Sequence, residues 1–135
     1  GYLDSLAEAG FTPDEKIMTS GDYTGRAGFE RMSSILAQKV SFDGLFVCSD
    51  LMAVGAIEAL RENNLVAGKD IAVVGFDDIP LAEYASPPLT TIKQDIEKIG
   101  ETMVKNLIQN IDDGIITKSV LPVSLVVRKS SELSR

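Results

Sequence analysis

The run I-A-V-V-G-F, from Ile71 to Phe76, limits the fold more than any other stretch. It is rich in β-branched residues, apolar at successive positions and too short for an ordinary helix, so it reads as a strand with both faces out of water. Such strands belong to parallel sheets covered by helices on both sides. The run stops at two adjacent carboxylates, Asp77 and Asp78, followed by Ile79 and Pro80. Like charges side by side at a buried strand end are costly, so the fold must supply them with partners or with water.

The rest of the chain alternates in the way such a sheet requires. Residues 2–9 read as a helix stopped by Gly10, and Lys16 to Thr19 as a short strand. Residues 20–25 have loop chemistry, and Phe29, Met32, Ile35 and Leu36 give residues 26–38 a helical spacing. Gly44 to Cys48 is a second apolar strand, and Ser49-Asp50 offers an N-cap for a helix over 51–62. Pro80 to Tyr84 suits one helical turn. Ser86-Pro87-Pro88 breaks the chain before the extended Leu89-Thr90-Thr91-Ile92. A long helix follows from Ile96 to Ile111, capped by Asp95, with Gly114 beyond its end. Val120 to Val127 closes the pattern as a strand. Strands alternating with helices predict an α/β fold with a parallel sheet flanked by helices on both faces.

Composition removes several function classes. The 135 residues suit one domain, and an apolar fraction of 44% is enough for a core. The net charge of −7, with no cluster of Lys and Arg, argues against this chain itself gripping a phosphate backbone. There is no histidine, which removes the commonest general base and zinc ligand. The single cysteine, Cys48, lies in the apolar run L-F-V-C, reads as a buried thiol and fits a reducing compartment. No apolar stretch reaches membrane-spanning length. The chain opens at Gly1-Tyr2 without an initiator Met, which predicts a fragment or a processed piece.

In a parallel sheet, ligands bind at the carboxyl ends of the strands. Three predicted strands end in polar residues: Asp22-Tyr23, Ser49-Asp50 and Asp77-Asp78. Carboxylates there can accept hydrogen bonds from ligand hydroxyls, and an aromatic such as Tyr23 can cover an apolar ring face. Structural readings compete. Asp50 stands where an N-cap belongs, one of Asp77 and Asp78 can cap the turn at Pro80, and Tyr23 can simply pack. Other signals are weaker. Gly21, Gly25 and Gly28 do not spell G-x-G-x-x-G, and no phosphate-binding loop of the G-x-x-x-x-G-K-[ST] type occurs. The Asp112-Asp113 pair at a helix end reads as solvated, and no hydrolase triad motif is present.

Three strings carry a resemblance: V-C-S-D-L-M-A-V-G-A-I-E-A-L, D-I-A-V-V-G-F-D-D-I-P and P-P-L-T-T-I-K-Q-D. In this order and spacing they resemble the effector-binding core of the lactose-repressor and galactose-repressor family of bacterial transcription regulators, a core similar to periplasmic sugar-binding proteins. The resemblance runs from Gly1 to about Lys129. It implies a two-lobed core with a small-molecule effector between the lobes and a DNA-binding helix-turn-helix headpiece upstream of this chain. Residues 1–91 and 117–129 would form the C-terminal lobe, and 92–116 would cross to the N-terminal lobe. Carried over residue by residue, Tyr23 is a ligand-stacking position, and Ser49 stands where relatives can carry a ligand-touching Asn. Asp77 would bind ligand hydroxyls or polar ring atoms, with Asp78 its structural neighbour. Gln94 lies near the cleft at the crossover. An effector-gripping arginine of the family would fall upstream of Gly1.

The resemblance therefore implies a non-enzymatic cytoplasmic repressor domain that senses a sugar or sugar derivative, forms a homodimer, and needs no cofactor or metal. An extracytoplasmic sugar-binding protein of a transport system is the alternative, and an acidic Mg²⁺-using domain a third class. The dimer surface is expected on helix 51–62 and the turn 81–85, with Val54, Glu58, Leu81, Tyr84 and Ala85. The apolar stripe Ile96, Ile99, Met103, Val104, Leu107, Ile108 and Ile111 would pack in the N-terminal lobe. Within this chain alone, that helix is expected to fold back on the sheet or to swap into a neighbouring chain.

Overall fold

The computed structural model describes residues 1–133. Helix α1 (Tyr2–Glu8) is followed by a 3₁₀ turn at Glu15–Ile17, helix α2 (Gly25–Ala37), strand β1 (Gly44–Phe46) and helix α3 (Asp50–Glu62). Then come β2 (Ala72–Asp77), the short α4 (Pro80–Tyr84), β3 (Thr90–Gln94), the long α5 (Ile96–Asp113), β4 (Val123–Val126) and a 3₁₀ turn at Lys129–Ser131. The sheet has the order β1-β2-β3-β4, parallel through β3, with β4 antiparallel on β3. The α/β architecture expected from the alternating pattern is present.

Local chemistry sets the helix starts. The Thr24 hydroxyl accepts from the Ala27 N–H at α2, Ser49 from the Met52 N–H at α3, and the Asp95 carboxylate from the Lys98 N–H at α5. Helix α3 lies on β2, and α2 lies on α3. The two helices approach until their backbones touch. A Cβ on Gly28 would overlap the Met52 backbone, and one on Gly55 the Gly25 carbonyl. Met32 and Ile35 of α2 join Ala53, Ala56, Ile57 and Leu60 of α3, with Val73 and Leu89, in one buried cluster.

Several expectations are corrected. Residues 16–19 form no strand. Asp14 accepts from the Lys16 N–H and closes a 3₁₀ turn, a local bond that competes with strand pairing. Asp22-Tyr23 therefore follows no strand. Strand β1 stops at Phe46, two residues before Cys48, whose side chain is exposed rather than buried. Strand β4 begins only at Val123. β2 is not equally dry on both faces: Ile71, Val73 and Gly75 are buried, whereas Ala72, Val74 and Phe76 are half-buried.

Helix α5 does not fold back on the sheet. None of its residues is buried, and Ile96, Met103, Val104, Leu107, Ile108 and Ile111 are 53–71% exposed. Only Asp95 separates it from β3, so the helix departs at the strand end and never doubles back over the core.

Candidate functional site

The end of β2 is where the chain is most constrained. Asp77 has φ of +116° and Asp78 φ of +55°, two consecutive non-glycine residues on the left-handed side. Such conformations cost about 1 kcal/mol or more each and persist only where neighbours impose them. The Ile79 N–H donates to Asp50 Oδ2 at 2.9 Å, and the Asp78 N–H donates a long bond, 3.4 Å, to Thr91 Oγ1. Thr91 in turn donates to Asp50 Oδ1 at 2.5 Å.

Asp50 is fully buried. It is not the helix cap; that role belongs to Ser49, whose Oγ accepts from the Met52 N–H at 3.2 Å. With Ser49 at the cap, the Asp50 side chain turns inward from the first turn of α3 to reach β3 and the β2–α4 turn. Burial raises its pKa above the ordinary aspartate value, and the nearby Asp77 charge acts in the same direction. The hydrogen bonds from Thr91 and Ile79 oppose that rise.

Cations hold one of the adjacent carboxylates and an amide holds the other. Arg128 Nη2 donates to Asp78 Oδ1 at 2.8 Å, and Lys93 Nζ lies 3.5 Å from Asp78 Oδ2. The Asp78 side chain is only 10% exposed, so of the two kinds of relief required at this strand end it relies on partners. Asp77 Oδ1 accepts from Gln94 Nε2 at 2.9 Å. Neither aspartate caps α4, whose N-cap is Ile79 with no side-chain hydrogen bond. Arg128 is itself fixed by its surroundings. Its Nη1 donates to the Leu89 carbonyl at 2.8 Å, and its backbone N–H and C=O both bond Thr90 Oγ1 at 2.8 Å. Buried Ser130 accepts from the Thr90 N–H and donates to the Val73 carbonyl, closing the staple.

Of the four ligand positions expected, Asp77 and Gln94 are brought together. They line an open cavity of about 700 Å³ shared with Asp78, Lys93, Ile96 and Ser124. A smaller cavity of about 280 Å³ continues from Gln94 to Ile99, Met103 and Leu121. Tyr23 and Ser49 line neither. Tyr23 is 65% exposed with φ of +66°, and Ser49 is 5% exposed and engaged as a cap. The expected dimer positions lie on α3 and α4, which pack on one another, and at Ala85 just after α4. Tyr84 is 79% and Leu81 42% exposed, while Val54, Glu58 and Ala85 are half-buried. Glu58 also accepts from Arg61 Nε at 2.9 Å within its own helix.

The sequence singles out Asp50 as a strand-end residue or cap but not in its buried role, and it does not point to Thr91, Lys93 or Arg128. The one available signal was Gly75, a glycine inside the best strand. A Cβ there would overlap Asp50 Oδ1 and come within 2.9 Å of Leu89 Cδ2. Gly75 pairs with Thr91 in the ladder, so the two share a face, and Asp50 fills the space above them. Among the described residues no helix is long and apolar enough to cross a membrane.

Comparison with known proteins agrees with this fold. A model of the periplasmic binding protein-like domain matches residues 1–131. The transcriptional regulator CelR of Thermobifida fusca is 36% identical over 132 residues, covering 96% of this chain and 39% of CelR. The repressor MelR of Bacillus subtilis is 38% identical over 130 residues, covering 96% of this chain and 36% of MelR. A Lac repressor crystal structure bound to ONPG superimposes with TM-score 0.88 at 36% identity, over 97% of this chain and 40% of that one. The CelR–cellobiose complex superimposes with TM-score 0.86 at 35% identity, over 96% of this chain and 40% of that one. The chain thus spans 36–40% of the length of these relatives. It belongs to the periplasmic binding protein-like family, in the form found in the effector-binding core of lactose-repressor-type transcription regulators.

Proposed function

We propose that this chain is the effector-sensing lobe of a bacterial DNA-binding transcriptional repressor, and that it binds a small sugar-like ligand without catalysing a reaction. The observation that carries this reading is the Asp77–Gln94 pair on the open cavity at the end of β2 and β3, in a chain whose relatives are regulators. A carboxylate held by a single amide keeps acceptor capacity for ligand hydroxyls. A solved relative, CelR, holds cellobiose. The same relatives weigh against the transport alternative, since they are helix-turn-helix regulators.

The lobe consists of residues 1–91 and 117–129, and residues 92–116 cross to a second lobe. The uncovered aliphatic face of α5 supports this division, because large apolar stripes normally find cover. Ligand in the cleft favours one arrangement of the lobes, and a dimer formed through α3 and α4 passes that shift to paired DNA-binding headpieces. Tyr23, which is exposed, contributes to ligand binding once the second lobe closes over it, whereas Ser49 acts through its cap on α3.

The test is calorimetry on the full-length protein with a panel of mono- and disaccharides, repeated for Asp77→Ala. Losing a charged acceptor costs about 1.5–3 kcal/mol, roughly ten- to a hundredfold in affinity. No binding across the panel, or an unchanged dissociation constant in the variant, refutes the assignment.

A further inference from the structure

The Asp50 carboxylate is fully buried, has no cation among its hydrogen-bond partners, and belongs to no residue that lines the cavity. Burying a carboxylate in that state is expensive, and a well-packed apolar residue in its place would be the cheaper way to fill the space. Three separate features accommodate it. Gly75 lacks the side chain that would collide with it, Thr91 supplies a hydroxyl to it, and the chain reversal at Asp77–Asp78 aims the Ile79 N–H at it. These residues come from the S-D, G-F-D-D and L-T-T strings, so three distant segments converge on one side chain.

We propose that Asp50 is a positioning residue that locks the Asp77–Asp78 turn in its left-handed conformation and joins that turn to the first turn of α3. One carboxylate oxygen holds the turn directly through Ile79, and the other holds it through Thr91, whose hydroxyl also receives the Asp78 N–H. Asp50 is covalently part of α3, adjacent to its cap Ser49. A displacement of Asp77 therefore pulls on the start of α3 and on the start of α4 together. In its functional consequence this rests on the reading of Asp77 as the effector carboxylate. A ligand at Asp77 then acts on the two helices proposed to pair the chains without touching either.

Amide hydrogen exchange on the full-length protein, with no ligand added, tests the linkage apart from the effector reading. Asp50→Asn should speed exchange at Asp78, Ile79, Met52 and Ala53 by about tenfold or more, while Thr90 and Ser130 keep their native rates. A uniform rise at every protected amide, or an unchanged rate at Ile79, overturns the proposal. If Asp50→Asn does not fold, Thr91→Val and Thr91→Ser replace it. Valine should release the same amides and serine should restore them, and equal rates in the two variants overturn the proposal. Should exchange behave as expected while Asp77→Ala leaves sugar binding untouched, the effector reading fails and the linkage stands.

Discussion

Removing Arg128 should be among the most damaging single changes outside the apolar core. Its guanidinium serves two partners, the Asp78 carboxylate and the Leu89 carbonyl, each at 2.8 Å, and its side chain is only 18% exposed. Breaking a buried ion pair by deleting one member costs about 3–5 kcal/mol, because the other charge is left without its counterion. Lys93 remains 3.5 Å from Asp78 but is 59% exposed, so it offsets only part of the loss. The lower end, about 3 kcal/mol, is therefore the figure for Arg128→Ala. It is a large share of a typical domain stability of about 5–15 kcal/mol. Arg128→Lys keeps the charge but has no planar fork to reach both partners, and should cost about 1–2 kcal/mol. Urea denaturation of the full-length protein, followed by circular dichroism, gives the differences. Adding Asp78→Asn to Arg128→Ala should recover about 1–3 kcal/mol of the sum of the single losses. Strict additivity, or an Arg128→Ala loss below about 0.5 kcal/mol, would show that this pair does not hold the turn.

Gly75→Ala should destabilise by about 1–3 kcal/mol, measured by the same denaturation, because the added methyl must displace Asp50; a neutral result would mean that the carboxylate sits elsewhere. Val54→Asp should weaken self-association of the full-length protein in sedimentation equilibrium, through a charge placed on the α3 surface, and an undisturbed dimer would move the interface to another face. The raised pKa of Asp50 gives a pH test. The folded state binds that proton more tightly than the unfolded state does, so its contribution to stability is complete below the ordinary aspartate value of 3.8 and is lost as pH rises through the elevated value. The stability of wild type relative to Asp50→Asn should therefore fall over that interval, and a flat or rising difference would contradict the assignment.

The apolar run at Ile71–Phe76, the capped helices and the proline break were legible because each depends on its own neighbours in the chain. The 3₁₀ turn at Glu15–Ile17 was not, because one Asp14 side chain overrides a pattern that reads equally well as a strand. Cys48 was misplaced for a similar reason: an apolar run does not say where its strand stops. At the site, Asp77 and Gln94 could be singled out from strand-end chemistry and family resemblance. The role of Asp50 could not, since a serine and an aspartate in tandem both suit a helix cap, and only the fold decides which turns inward. Arg128 lies fifty residues after Asp78, and nothing local announces so distant an ion pair.

The close approach of α2 and α3 also determines how this molecule can move. With Gly28 against the Met52 backbone and Gly55 against the Gly25 carbonyl, the two helices have no side-chain cushion between them at either point. A cushion of flexible side chains lets helices slide by small rotamer changes, whereas backbone on backbone leaves nothing to yield. The pair must travel as one rigid lever. Tyr23 stands immediately before the α2 cap at Thr24, at one end of that lever, and α3 carries Val54 along its length. A displacement of α2 is therefore passed to α3 as a movement of the whole pair, because the backbone contacts between them cannot yield.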